Sequence, residues 1–245
     1  LNHAAIEEII IQTSLENMFI APADLHLTGA QVELVNAPER EYRLKSSVNK
    51  IKESYDFIII DCPPSLGLLT INALTASDTA LIPFQCEYYA MEGLSQLLYT
   101  IKLVRENLNP SLDIEGVVLT MADYRTNLTG EVINEAKKFF SNKIYESIIP
   151  RSIRLSEAPG YGKPIISYDK HSQGAEAYKK LAEELISHNS LQNIELSRDK
   201  QHTTGEQPHT EHVVEDSLIS EISQENGGED GEAESLRQGP AGINT

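Results

Sequence analysis

Apolar residues along the chain follow two alternating patterns. Short runs that are almost wholly apolar and rich in β-branched residues occur at 17–21, 57–60, 79–84, 114–121 and 144–149. Each is too short for a stable helix and reads as a strand with both faces covered. Between them lie stretches where apolar residues return every three or four positions. One sits at 3–12 with Ile6, Ile9 and Ile10, and one follows a cap at Asp24 or Thr28 with Leu27, Val32 and Val35. After Pro38, Leu44, Val48 and Ile51 share one helix face, and helices are also expected over 91–107, 128–140 and 172–186. Strands alternating with helices predict an α/β fold with a doubly wound, mostly parallel sheet flanked by helices.

The run at 57–60 ends on a carboxylate, Asp61, and Pro63 and Pro64 then stop the strand. Gly67 follows, and Leu68, Leu69, Ile71 and Leu74 recur at a spacing that suits a buried helix. A buried strand that delivers an acid to its C-terminal end places it at the crevice where open α/β sheets bind ligands. In a phosphate-handling site such an acid holds Mg²⁺, directly or through water. The alternative is a polar strand terminus with no ligand. By the same crevice rule Met121, Asp123 and Pro150, just past strand ends, are candidates to contact the base of a nucleotide, against the plainer reading of a core methionine and a loop proline.

The residues after Asp61, Cys-Pro-Pro-Ser-Leu-Gly-Leu-Leu-Thr-Ile-Asn-Ala-Leu, closely resemble the Walker-B and switch-II region of the ParA/Soj family of chromosome- and plasmid-partitioning ATPases. Further similar motifs follow in order: residues 85–93, 119–121 with Asp123 and 125–128, 149–151 with 154–159, and 162–164. The resemblance runs from about residue 6 to about residue 186. It implies an ATPase that binds Mg·ATP, forms an ATP-sandwich homodimer, coats DNA without sequence preference, and is stimulated by a ParB-like centromere-binding partner. It implies a cytoplasmic, nucleoid-associated protein. Asp61 then matches the Walker-B acid near Mg²⁺, through water. Arg125 and Arg154 match positions that bind DNA, and Arg151 and Lys163 extend that patch; charge alone would favour ordinary surface ion pairs, for instance Arg154 with Glu157. Arginine suits phosphate because its planar fork gives two hydrogen bonds to one group. The segment 169–174 departs from the family, with His171 and Gln173 where many relatives carry arginines.

Family members begin with a P-loop of the Lys-Gly-Gly-x-Gly-Lys-Thr type, whose backbone amides wrap phosphate. The sequence contains no such stretch. Residues 160–164, Gly-Tyr-Gly-Lys-Pro, have Glu157 in place of the first glycine and Pro164 where a hydroxyl must meet Mg²⁺. The first residue is Leu, which fits a fragment or a processed product. Without the P-loop strand beside it, the 57–60 strand is expected to leave amides unpaired and apolar faces exposed. The chain alone is therefore expected to be inactive and unstable or molten.

The net charge of −17 is uneven: from Ser187 onward there are twelve acidic and three basic residues, a net of −9. So acidic a chain needs a local basic patch for any DNA contact. The composition divides it into an α/β domain, 1–186, ATPase-like by the resemblance, and an acidic, low-complexity tail, 187–245, expected to be disordered, with 213–222 a candidate transient helix. Cys62 and Cys86 lack metal-ligand spacing and fit a reducing compartment; Cys62 is expected to pack as a plain thiol. The seven histidines form no ligand set. No run is long enough to span a bilayer. The acidic tail also argues against a MinD-type membrane-cycling ATPase, which needs a basic amphipathic helix. A non-enzymatic interaction module is the alternative from another class.

Overall fold

The computed structural model describes residues 4–24, 26–87, 90–140 and 143–202. The chain divides into two units, Leu1–Phe84 with Tyr99–Val118, and Gln85–Leu98 with Leu119–Thr245.

The first unit opens with a short helix, α1 (Ile6–Ile9), and an antiparallel pair, β1 (Ile11–Gln12) and β2 (Phe19–Ile20). The connecting turn places Asn17 in the left-handed region, at φ 60°, which asparagine tolerates. The sequence predicts helix through residue 12, but Ile11 and Gln12 instead pair with β2. Next come α2 (His26–Glu33), whose first amide is bonded by the Asp24 carboxylate at 2.8 Å, and α3 (Arg43–Val48) after a 3-10 turn at Arg40–Tyr42.

Residues 57–60, read as a strand, pair with no strand among the described residues, in keeping with the unpaired amides and exposed apolar faces expected of them. Phe57 is 49% and Ile59 84% exposed. An apolar run can join a sheet only where a neighbour offers amides and carbonyls, and none of the described strands lies against it.

The helix after Asp61 is α4 (Leu68–Ala76), with Ala73 and Leu74 buried. The buried Asn72 ties it to α3: its oxygen accepts the Leu44 amide at 3.1 Å and its nitrogen donates to the Arg40 carbonyl at 2.8 Å.

The two longest strands, β3 (Thr79–Gln85) and β4 (Asp113–Thr120), pair side by side. The Asp113 amide bonds the Asp78 carbonyl at one end and the Cys86 amide bonds the Thr120 carbonyl at the other, so both strands ascend together and are parallel. The crossover between them is α5 (Ala90–Asn107), as a parallel pair requires. Six consecutive residues of β4, Ile114–Leu119, are buried, the mark of a strand covered on both faces. Asn109 closes the crossover. It is buried, and its side-chain nitrogen donates to the carbonyls of Leu74 at 3.1 Å and Ser77 at 2.8 Å.

In the second unit β4 leads to α6 (Asn127–Phe140), then to α7 (Ile153–Glu157), a 3-10 turn at Ala158–Tyr161, α8 (Ile165–Tyr168) and α9 (Gln173–His202). The strand expected at 144–149 is not continuous. The segment meets β4 through the Ile149 amide on the Leu119 carbonyl, at 2.9 Å, and through a single parallel bridge between Ala122 and Pro150. Glu184 of α9 accounts for part of this, because its carboxylate accepts the amides of Glu146 and Ser147 at 2.6 and 3.0 Å. Those amides are thereby unavailable to a ladder. Helix α9 continues past residue 186 to His202; the tail beyond it, including 213–222, lies outside the described residues.

Candidate functional site

In the second unit, the chain leaving β4 turns sharply at Met121, which holds φ 56° in the left-handed region. A non-glycine residue adopts that conformation at some cost, usually where surrounding structure imposes it. Here the imposing contacts are visible. The Ala122 amide bonds the Ile149 carbonyl at 3.2 Å, and the Arg151 amide bonds the Ala122 carbonyl at 3.0 Å. Two loops distant in sequence are thus laced together. Met121, Asp123, Pro150 and Arg151, singled out separately from the sequence, sit on this junction.

The next residues form a tight turn into α6. The Thr126 amide and the Thr126 and Thr129 hydroxyls all donate to the Asp123 carbonyl, at 3.1, 3.1 and 2.8 Å. Thr129 is 2% exposed, so the turn is anchored in the interior. The Asp123 carboxylate takes Arg125 in a two-bonded grip: Nε donates to Oδ1 at 2.8 Å and Nη2 to Oδ2 at 2.6 Å. Those bonds, and a third from the Arg125 amide, pull the Asp123 carboxyl from its ordinary 3.8 down to about 2, with Arg151 adding a smaller electrostatic pull. Asp123, expected from the sequence to reach a nucleotide base, thus commits both oxygens to Arg125.

The other arginines differ in how free they are. Arg154, on α7, donates to Glu157 at 3.1 Å and lies 3.5 Å from Asp169. The ion pair expected on charge grounds is therefore present. Tyr168 shares the Glu157 carboxylate through its hydroxyl at 3.1 Å. Arg151 and Lys163 are exposed, with no side-chain hydrogen bond among the described residues. Lys163 follows Gly162, whose φ of 61° closes the 3-10 turn as a residue without a Cβ does most easily. Gly174, at the start of α9, lets that helix approach α7: a Cβ there would come within 2.6 Å of Leu155 Cγ.

Asp61 belongs to the first unit. It lies on the exposed segment between residues 57–60 and α4, and no side-chain hydrogen bond or ion pair engages its carboxylate among the described residues. A lone, accessible carboxylate fits Mg²⁺ bound chiefly by water and phosphate oxygens, because that ion keeps several waters and takes only one or two carboxylates. Among the described residues no three His, Cys, Asp or Glu side chains cluster as a metal cage. Cys62, expected to be packed, is exposed, whereas Cys86 is buried. Tyr88 and Tyr89 lie outside the described residues.

Sequence reasoning missed Thr129 and Glu184. The signal for Thr129 was slight, a β-branched hydroxyl in the first turn of an amphipathic helix. Glu184 looked like any solvent-facing acid of α9.

Comparison with known proteins places these features in a family. The AAA-domain family profile matches residues 1–114. The sporulation initiation inhibitor protein Soj of Bacillus subtilis is 58% identical over 185 residues, 76% of this chain and 73% of that protein. The chromosome partitioning protein ParA of Myxococcus xanthus is 53% identical over 186 residues, 76% of this chain and 66% of that one. Among solved structures, cobyrinic acid a,c-diamide synthase from Mycobacterium smegmatis, with bound ADP and magnesium, is 33% identical with a TM-score of 0.64, over 76% of this chain and 69% of that one. The cell division ATPase MinD of Pyrococcus furiosus shares the fold at 24% identity and a TM-score of 0.59, over 75% and 71%. On identity that high over about three quarters of its length, and on the motifs around Asp61 and Asp123, the chain belongs to the ParA/Soj family of chromosome-partitioning proteins.

Proposed function

We propose that this chain is the larger part of a DNA-partitioning ATPase that, complete, binds Mg·ATP, dimerises and binds DNA without sequence preference. The observation that carries the reading is the laced junction of the second unit, which gathers Arg125 and Arg151 beside Met121 and Pro150 on a chain that is otherwise strongly acidic. Family membership and the nucleotide and magnesium of the diamide synthase structure support it.

In this reading Met121 and Pro150 flank the nucleotide base. Asp61 orients a water of the Mg²⁺ shell; the ion, when bound with ATP, neutralises charge on the phosphates. Phosphoryl transfer asks little covalent chemistry of a protein, and most of the rate comes from positioning and charge stabilisation. Arg125, Arg151, Arg154 and Lys163 meet DNA phosphates, and the partner that stimulates hydrolysis is a ParB-like protein bound at a centromere-like site. Arg154 must exchange Glu157 and Asp169 for phosphate, so it contributes less than Arg125 per contact.

The test is nucleotide binding by the complete native protein, followed with a fluorescent ATP analogue. Mg²⁺-dependent binding that supports hydrolysis is the expected result. Failure to bind nucleotide with or without Mg²⁺ would overturn the ATPase reading.

A further inference from the structure

We infer that Asp123 is a positioning residue for Arg125: it grips the guanidinium by its Nε–Nη2 edge and so presents the Nη1–Nη2 edge outward, where a DNA phosphate can take two parallel hydrogen bonds. The inference rests on the DNA-binding reading above.

A guanidinium carries five N–H donors, disposed so that two different edges can each hold an oxyanion. Asp123 occupies one of them, with Nε to Oδ1 at 2.8 Å and Nη2 to Oδ2 at 2.6 Å. Three hydrogens remain; one on Nη1 and the second on Nη2 point the same way and form the other edge. The burial of the two partners is unequal in the way such a device requires. The Arg125 side chain is 86% exposed, so its remaining edge faces solvent, while the Asp123 side chain is only 20% exposed.

Asp123 is itself fixed. Its amide donates to the Thr129 hydroxyl at 3.3 Å, its carbonyl accepts from that hydroxyl at 2.8 Å, and Oδ1 also caps the Arg125 amide at 3.1 Å. A continuous set of bonds thus runs from a buried threonine at the start of α6 to an exposed guanidinium. A long arginine side chain normally loses rotamer freedom when it docks on phosphate. Here that loss has already occurred in the free protein, which favours binding.

An opposing effect gives the inference a sharp sign. Asp123 is negative, and a simple electrostatic account has it repel DNA from an already acidic chain. The carboxylate holds the adjacent edge, which shares Nη2 with the outward one, and water and salt screen exposed charges. Orientation acts at the contact itself, and we take it as the larger effect.

The experiment measures affinity of the complete native protein, with Mg·ATP, for a mixed-sequence DNA duplex by fluorescence anisotropy at fixed salt. Four variants are compared: Arg125→Ala, Asp123→Ala, Asp123→Asn, and the double alanine variant, each checked by thermal melting. Asp123→Ala is expected to weaken binding by about two- to fivefold even though it removes a negative charge. Asp123→Asn, which retains one acceptor, recovers part of the loss. In the Arg125→Ala background Asp123→Ala should add nothing, whereas a role in loop packing alone would still weaken binding there. A further loss in that background, or unchanged or tighter binding by Asp123→Ala while Arg125→Ala weakens it, would overturn the role of Asp123 alone. Unchanged binding by Arg125→Ala would overturn it together with the DNA-binding reading of Arg125.

Discussion

Two carboxylates at the ends of β-type segments have opposite surroundings. Asp61 is exposed and unengaged among the described residues. Asp123 is bound on both oxygens. Asp61→Asn should lower ATP hydrolysis by the complete protein by roughly 10–100-fold, the usual cost of losing a group that orients metal-bound water. Steady-state phosphate release checks this. Asp123 should titrate near 2 when followed by carboxyl-carbon NMR, and its midpoint should rise toward 3.8 in Arg125→Ala. The sign follows from linkage. A carboxyl held below its unfolded value stabilises the fold above that unfolded value, and the contribution fades as pH falls through about 2. Between pH 5 and 8 the Asp123–Arg125 pair is therefore constant, and any pH dependence of DNA binding there comes from other groups. At this scale the sequence was informative about which residues carry charge at the junction. It could not show that Asp123 and Arg125 hold each other, because a two-residue spacing in a loop fixes no geometry until Thr126 and Thr129 fold the turn.

The elements most legible in the sequence were those with a long, unambiguous period. Helices α5 and α6 and strands β3 and β4 fall within a residue or two of where apolar spacing puts them. Elements that depend on a partner were less legible. Residues 57–60 have the composition of a central strand, yet no described strand pairs with them; composition reports what a segment can bury, and pairing depends on what lies beside it. Residues 144–149 read as a strand too, but Glu184 takes two of their amides. Asn109 shows nothing in the sequence of its role, which is to join α4 to the chain entering β4. Asn109→Ala should cost about 1–3 kcal/mol, since the buried Leu74 carbonyl and the half-buried Ser77 carbonyl lose their donor. Urea unfolding of the complete protein, at unchanged m-value, is the measurement.

At the scale of the molecule, apolar surface is exposed in the first unit on two stretches well separated in sequence: Ile11, Met18, Phe19 and Ile20, and Phe57, Ile58 and Ile59. The rings of Phe19 and Tyr55 meet edge-on at 5.7 Å, so part of that surface gathers around one aromatic contact. Exposed apolar surface on this scale marks a place where something else packs. The isolated 245-residue chain should therefore bind a hydrophobic dye strongly and melt without a sharp transition, and a cooperative melt with no dye binding would contradict that. Charge is distributed with equal asymmetry. With a net charge of −17, the proposed DNA binding would rest on a local patch around Arg125 and Arg151, and is expected to weaken steeply with salt. The most direct test is a salt titration of DNA affinity for the complete native protein with and without Mg·ATP. The account predicts binding that requires Mg·ATP and falls linearly on a log–log plot of affinity against salt, with a shallower slope once Arg125 and Arg151 are replaced by alanine. No DNA binding in Mg·ATP, or a slope indifferent to those two arginines, would contradict it.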